Sequence, residues 1–177
     1  MAFEEKTIKS DIVYEGPVFK IRKHIVDTVD GPSVRDVLEH GGGAVIIAVK
    51  DDGKIIMERQ FRKPMEDVIW ELPAGKRDFK EDSLETAKRE LEEETGYVAG
   101  NIKHLLSYCP TCGYSNEILD IYICRNLSKG TKNLDPTECI DIVELFPDEI
   151  IDMIMKNEIY DSKTIIGILF ARQSGEI

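Results

Sequence analysis

Glu90, Glu92, Glu93 and Glu94 crowd into five residues of a 177-residue chain. Carboxylates offer only hard oxygen donors, the kind that suits Mg²⁺ or Mn²⁺. Their neighbours predict a helix. Asp82 or Ser83 stands as its N-cap, Leu84, Ala87 and Leu91 recur at spacings of three and four as a narrow apolar stripe, and Gly96 supplies the terminator. The glutamates therefore collect at the helix C-terminus, where the helix dipole disfavours negative charge. Glu90 and Glu94 are also an i,i+4 like-charge pair, destabilising by about 0.2–0.5 kcal/mol. Locally only Lys88 and Arg89 offset this. A solvated acidic face would account for a bare run of glutamates. A bound cation accounts for its position at this end, with Glu90 and Glu94 on one face and Glu93 beside them.

The preceding segment favours the cation. Gly75, Glu81, Arg89, Glu90, Leu91, Glu93, Glu94, Gly96 and Tyr97 match, position for position, the box G-x5-E-x7-R-E-U-x-E-E-x-G-U, where U is a bulky apolar residue and Tyr97 a variant of the last U. In these positions the chain resembles the Nudix hydrolases. The resemblance implies an α/β fold, a Nudix α/β/α sandwich with a mixed sheet, and hydrolysis of a nucleoside diphosphate linked to another group. It implies Mg²⁺ as cofactor, with Mn²⁺ as substitute, held by Glu90, Glu94 and Glu93 and by the backbone carbonyl of Ala74. Arg89 is expected to orient these glutamates, with Glu81 as its partner.

Four further stretches resemble the ADP-ribose pyrophosphatase branch: Val34 to His40, Arg59 to Pro64, Glu71-Leu72-Pro73-Ala74-Gly75, and Gly113 to Glu117. Cys112 stands where that branch usually has a proline before the glycine. The resemblance implies conversion of ADP-ribose to AMP and ribose 5-phosphate, with another nucleotide sugar, a dinucleoside polyphosphate or an oxidised nucleotide as the alternative substrates. A non-catalytic ADP-ribose sensor is the alternative outside catalysis. Arg59 and Arg62 are expected at the diphosphate, since a guanidinium suits bidentate phosphate contact. Arg35 and Asp36 are implied at the adenine end. The general base is expected on a loop after the strand ending at Cys124, with Glu138 the first candidate and Glu117 the second. A homodimer that exchanges its N-terminal β unit is implied as well.

The elements that must position these residues follow from pattern. Phe19, Ile21, Ile25 and Val29 share one parity of a one-sided strand, Asp30-Gly31-Pro32 is a turn, and Ser33 to His40 returns. With the alternating segment around Ile8, Ile12 and Tyr14, this predicts a small antiparallel β unit over residues 1–40, ahead of a catalytic domain over 41–177. Ala44 to Val49 is continuously apolar and predicts a buried central strand. Lys54 to Arg59 and Val68 to Leu72 predict strands, with Gln60 to Pro64 as a loop. Strands are also expected over Ile102–Tyr108, Ile118–Cys124 and Ile140–Phe146, with a polar loop from Leu127 to Thr137. Helices are expected from Pro147 and from an Asp161 or Ser162 cap.

Bulk properties narrow the partners. The net charge is −11 and the pI about 4.8, which argues against nucleic-acid and anionic-membrane partners. An anionic small substrate stays compatible, because bound divalent cations invert the local field. The N-terminus has no signal-peptide pattern and no apolar run would span a bilayer, so a cytoplasmic location is expected. Cys109 and Cys112 form a lone CxxC with no second pair to complete a zinc ribbon, and they read as ordinary thiols of a reducing compartment.

Overall fold

The computed structural model describes residues 3–177 and divides into two compact units. The first comprises the chain up to Gly42 together with Cys109–Ile118. Its three strands, β1 (Thr7–Glu15), β2 (Lys20–Thr28) and β3 (Gly31–Glu39), form one antiparallel sheet in that order. Gly31 closes the β2–β3 turn at φ 102°, a conformation that strains a side-chain-bearing residue. Cys109–Ile118 joins this sheet at the end of β3. The Leu38 N–H donates to the Tyr114 carbonyl (2.7 Å), the Asn116 N–H to the Leu38 carbonyl (3.2 Å), and the His40 N–H to Asn116 Oδ1 (2.9 Å). All four cysteines are free thiols.

The second unit, Gly43–Tyr108 with Leu119–Ile177, contains the motif. Its central strand is β4 (Gly43–Ala48), every residue of it buried. It runs parallel to β9 (Leu119–Lys129) and antiparallel to β7 (Ala74–Lys76), and β8 (Tyr97–Tyr108) completes a sheet of order β7-β4-β9-β8. β5 (Ile55–Arg62), β6 (Asp67–Glu71) and β10 (Ile140–Leu145) form a second, antiparallel sheet in the order β10-β5-β6. Helices cover both sides. Ala44, Ile46 and Ala48 face α1 (Ser83–Thr95) through its Ala87 and Leu91. The alternate residues Val45 and Ile47 face α2 (Pro147–Met155) and α3 (Ser162–Gln173) through Ile150, Ile168 and Ala171. Period-two alternation along one strand thus builds both cores of the expected α/β/α sandwich.

Several boundaries differ from expectation. β5 runs on through Gln60 and Phe61 to Arg62, because pairing with Asp67 to Glu71 satisfies this polar stretch. Ala74–Lys76, for which the sequence predicts no element, is a short strand on β4. β9 continues past Cys124 to Lys129 by pairing with the lengthened β8. Among the described residues no helix is long and apolar enough to cross a membrane.

Candidate active site

α1 is capped as its sequence predicts. The Asp82 side chain accepts the Leu84 N–H (2.9 Å), and Gly96 takes the left-handed conformation at φ 74°. Burial of Ala87 and Leu91 fixes the rotation of the helix, so Glu94 falls on the inward side and is only 6% exposed. The last helical carbonyls find partners in the loop after β9. The Asn133 N–H donates to the Glu93 carbonyl (2.9 Å), and the Gly130 N–H to the Gly96 carbonyl (2.9 Å). That fastens the loop carrying Glu138 to the acidic end of the helix. Glu138 is half-buried, its Oε2 accepts the Asp135 N–H (3.2 Å), and its charge acts on both Glu90 and Glu94.

Arg89 gathers the motif's outer carboxylates. Its Nε and Nη2 each donate to Glu81 (3.1 Å), and its Nη1 donates to Glu90 Oε1 (2.7 Å) and Glu93 Oε2 (3.0 Å). Nη2 also reaches the Lys76 carbonyl (3.2 Å). These bonds hold the Glu81 carboxyl down to about 2, assisted by the Asp78 N–H and the Thr86 hydroxyl. With every arm occupied by the motif itself, Arg89 acts on the carboxylates' geometry.

The inner carboxylates behave differently. Burial pushes the Glu90 carboxyl up despite Arg89. Burial also pushes Glu94 up, and the like charges of Glu58, Glu90 and Glu138 add to it. Glu94 Oε2 accepts the Ala74 N–H (3.1 Å), so Ala74 lies beside the carboxylate. Two residues outside the motif enter from the sheet. Glu58 and Glu71 are cross-strand neighbours on β5 and β6, each 3% exposed. Glu71 takes both arms of the Arg62 guanidinium (2.6 and 3.0 Å) and the Lys163 ammonium from the first turn of α3. Burial opposes its ionisation, yet those partners hold its carboxyl below the usual range.

β5 parity separates the two arginines expected at the diphosphate. Arg62 shares the face of Ile56 and Glu58, towards α1. Arg59 points to the other face and lies over the Trp70 ring, 5.0 Å from its centroid. Arg35, Asp36 and Glu117 belong to the first unit. Arg35 on β3 is ion-paired with Glu5 (2.5 Å), Asp36 is exposed opposite Lys23, and Glu117 Oε1 lies 3.1 Å from His40 Nδ1. Glu58, Glu71 and Lys163 were missed in the sequence. The signal for Glu58 was there: a lone charge after the apolar run Ile55-Ile56-Met57.

The model of the NUDIX domain matches residues 39–164 of the chain. The chain belongs to the Nudix family. Curated relatives of this Nudix protein include the methanol dehydrogenase activator of Bacillus methanolicus, 41% identical over 95% of this chain and 92% of the relative. The ADP-ribose pyrophosphatase of Bacillus subtilis (strain 168) is 36% identical over 96% of this chain and 93% of its own length. A solved structure described as an ADP compounds hydrolase superposes with a TM-score of 0.87 over 100% of this chain and 99% of that one, at 17% identity, and so shares the fold.

Nudix hydrolases work with divalent cations, and the residues here fit one. The donor set is all oxygen, and burial and neighbouring carboxylates disfavour the bare charges of Glu90 and Glu94. Among the described residues no three acidic, histidine or cysteine side chains already close a shell by themselves, so ligation calls for side-chain rotation. The glycine that opens the Nudix box keeps room for one of these carboxylates. A Cβ on Gly75 would lie 1.8 Å from the Glu90 carboxyl carbon. The three nearest atoms all belong to the flexible Glu90 side chain, which can yield, so Gly75→Ala should fold normally with that carboxylate displaced. A displacement of this order costs about 10²-fold in turnover. Steady-state kinetics beside a thermal melt checks this: near-normal turnover would show that the Glu90 position is unimportant.

Proposed function

We propose that the protein is a Mg²⁺-dependent ADP-ribose pyrophosphatase that yields AMP and ribose 5-phosphate. The observation that carries this reading is the buried Glu94 beside Glu90 and Ala74 at the end of the motif helix, in a chain 36% identical to a named ADP-ribose pyrophosphatase. Glu90, Glu94 and Glu93, with the Ala74 carbonyl, would hold the ion, with Mn²⁺ as the substitute for Mg²⁺. When bound, a divalent ion offsets the diphosphate charge and acidifies water. Arg62, turned to the same face, meets the diphosphate through the Nη1 that its pair with Glu71 leaves over, while Arg89 keeps the carboxylates in register. Glu138 accepts the proton of the attacking water as its oxygen bonds to phosphorus and the bridging P–O bond breaks. Glu117 is the second candidate for that proton. Arg35 and Asp36 serve the adenine end from the N-terminal unit, and the working form is a cytoplasmic homodimer.

Purified protein with Mg²⁺ should favour ADP-ribose by at least about tenfold in kcat/KM, a difference of about 1.4 kcal/mol, over GDP-mannose, a diadenosine polyphosphate and an oxidised nucleotide. Product chromatography should show AMP. A stronger preference for any of the others would reassign the substrate.

The 41% identity to a methanol dehydrogenase activator favours a second reading, in which the same hydrolytic site acts for a partner dehydrogenase. Its test is the rate of a methanol dehydrogenase with and without this protein. Acceleration lost in Glu94→Gln would support it, and no acceleration would remove it.

A further inference from the structure

Glu58 lies outside the Nudix box and is unpaired at one of its oxygens. It follows three fully buried apolar residues in β5, yet it is itself 3% exposed, and its Oε1 is shielded from solvent with no hydrogen-bond partner. Burying such a group is unfavourable, and a valine or leucine at this position would pack without that penalty. Packing therefore gives no reason for a carboxyl here.

Its neighbours supply one. Glu71, directly across the strand pair, is as deeply buried, but Arg62 and Lys163 neutralise it. Both cations are committed to Glu71. Glu58 shares its sheet face with Ile56, which packs against Ala87 and Leu91 of the motif helix, and one turn further along that helix is Glu94. Burial and the like charge of Glu71 oppose ionisation of Glu58, and Glu58 in turn adds to the burial that opposes ionisation of Glu94. Arg62, Lys163 and Lys132 offset this only in part, and two buried carboxyls still kept from ionising are the arrangement that a divalent ion would convert from repulsion into attraction.

We propose that Glu58 reaches the divalent-ion site from the sheet and shares an ion with Glu94, as a carboxylate arm that the Nudix box does not contain. The inference rests on the metal-dependent reading above. Glutamate side chains have the free torsions needed to turn towards a common ion, which the present placement requires.

Mn²⁺ binding to the full chain, followed by electron paramagnetic resonance, tests it without reference to turnover. Wild type should bind Mn²⁺, and Glu94→Gln should lose most of that binding. Glu58→Gln should bind at least about tenfold more weakly or hold one ion fewer, the scale seen when a metal ligand's support is removed. Glu58→Asp should recover part of the loss. Glu58→Val, melted without metal, should be at least as stable as wild type, and its stabilisation by Mn²⁺ should be reduced. Should Glu58→Val not fold, Glu58→Gln decides alone, because it keeps the side-chain shape. Mn²⁺ bound by Glu58→Gln in the same number and within twofold of the wild-type affinity would overturn the inference and leave the metal reading standing. Failure of wild type to bind Mn²⁺ would overturn both.

Discussion

Glu94→Gln is expected to lower pyrophosphatase turnover by about 10³-fold, equivalent to several kcal/mol of lost charge stabilisation at the ion. The argument is one of position. Glu94 lies on the inward side of α1, 6% exposed, with its Oε2 on the Ala74 N–H. Glutamine keeps the shape and still accepts that N–H, so the fold is retained while the charge goes. Removing an unneutralised buried carboxyl should even raise the melting temperature of the metal-free protein. Glu85→Gln is the matched control on the same helix. Glu85 is exposed and pairs with Lys88 (2.7 Å), an exposed contact worth little. Its turnover should stay within twofold of wild type. Comparable loss in both variants would mean that net charge, not the inward carboxylate, governs the rate.

The motif helix was readable in one dimension because its signals are local. The Asp82 cap, the Leu84, Ala87 and Leu91 stripe and the Gly96 terminator each act within a turn of the chain. The central strand β4 was equally readable from its unbroken apolar run. What the sequence withheld depends on contacts between distant residues. Glu58 meets Glu71 only through the β5–β6 register, and Lys163 reaches Glu71 only because α3 docks there. Ala74–Lys76 has too few residues to carry a period, so its pairing with β4 was invisible. The polar stretch at Gln60 to Arg62 resembled a loop until its partner strand was known. Once β5 is seen to include Arg62, parity alone puts Arg59 and Arg62 on opposite faces.

The same buried carboxyls predict an inverted pH profile for the metal-free protein. Burial, followed by like charge, raises Glu58 to about 8 and Glu94 to about 9, from an ordinary value of 4.5. Both hold their protons more tightly folded than unfolded. Their contribution is therefore fully present below about 4.5 and is lost as pH rises towards 8 and 9. The slope is at most about 1.4 kcal/mol per pH unit for each group that stays protonated, or a few degrees of melting temperature in a chain of this size. Arg62 stays charged and Glu71 stays ionised across that window, and burial keeps the Cys124 thiol up at about 12. Burial raises Glu90 as well, which adds to the fall. Melts in EDTA should drop from about pH 5 to about pH 9, and the gap between EDTA and excess Mg²⁺ should widen over the same interval, since the ion takes the place of the protons. A Glu58→Gln, Glu94→Gln double variant should flatten the EDTA profile. A wild-type EDTA profile that is level or climbs through this range would mean that the two carboxyls ionise freely in the fold, and the electrostatic case for a cation between them would go with it.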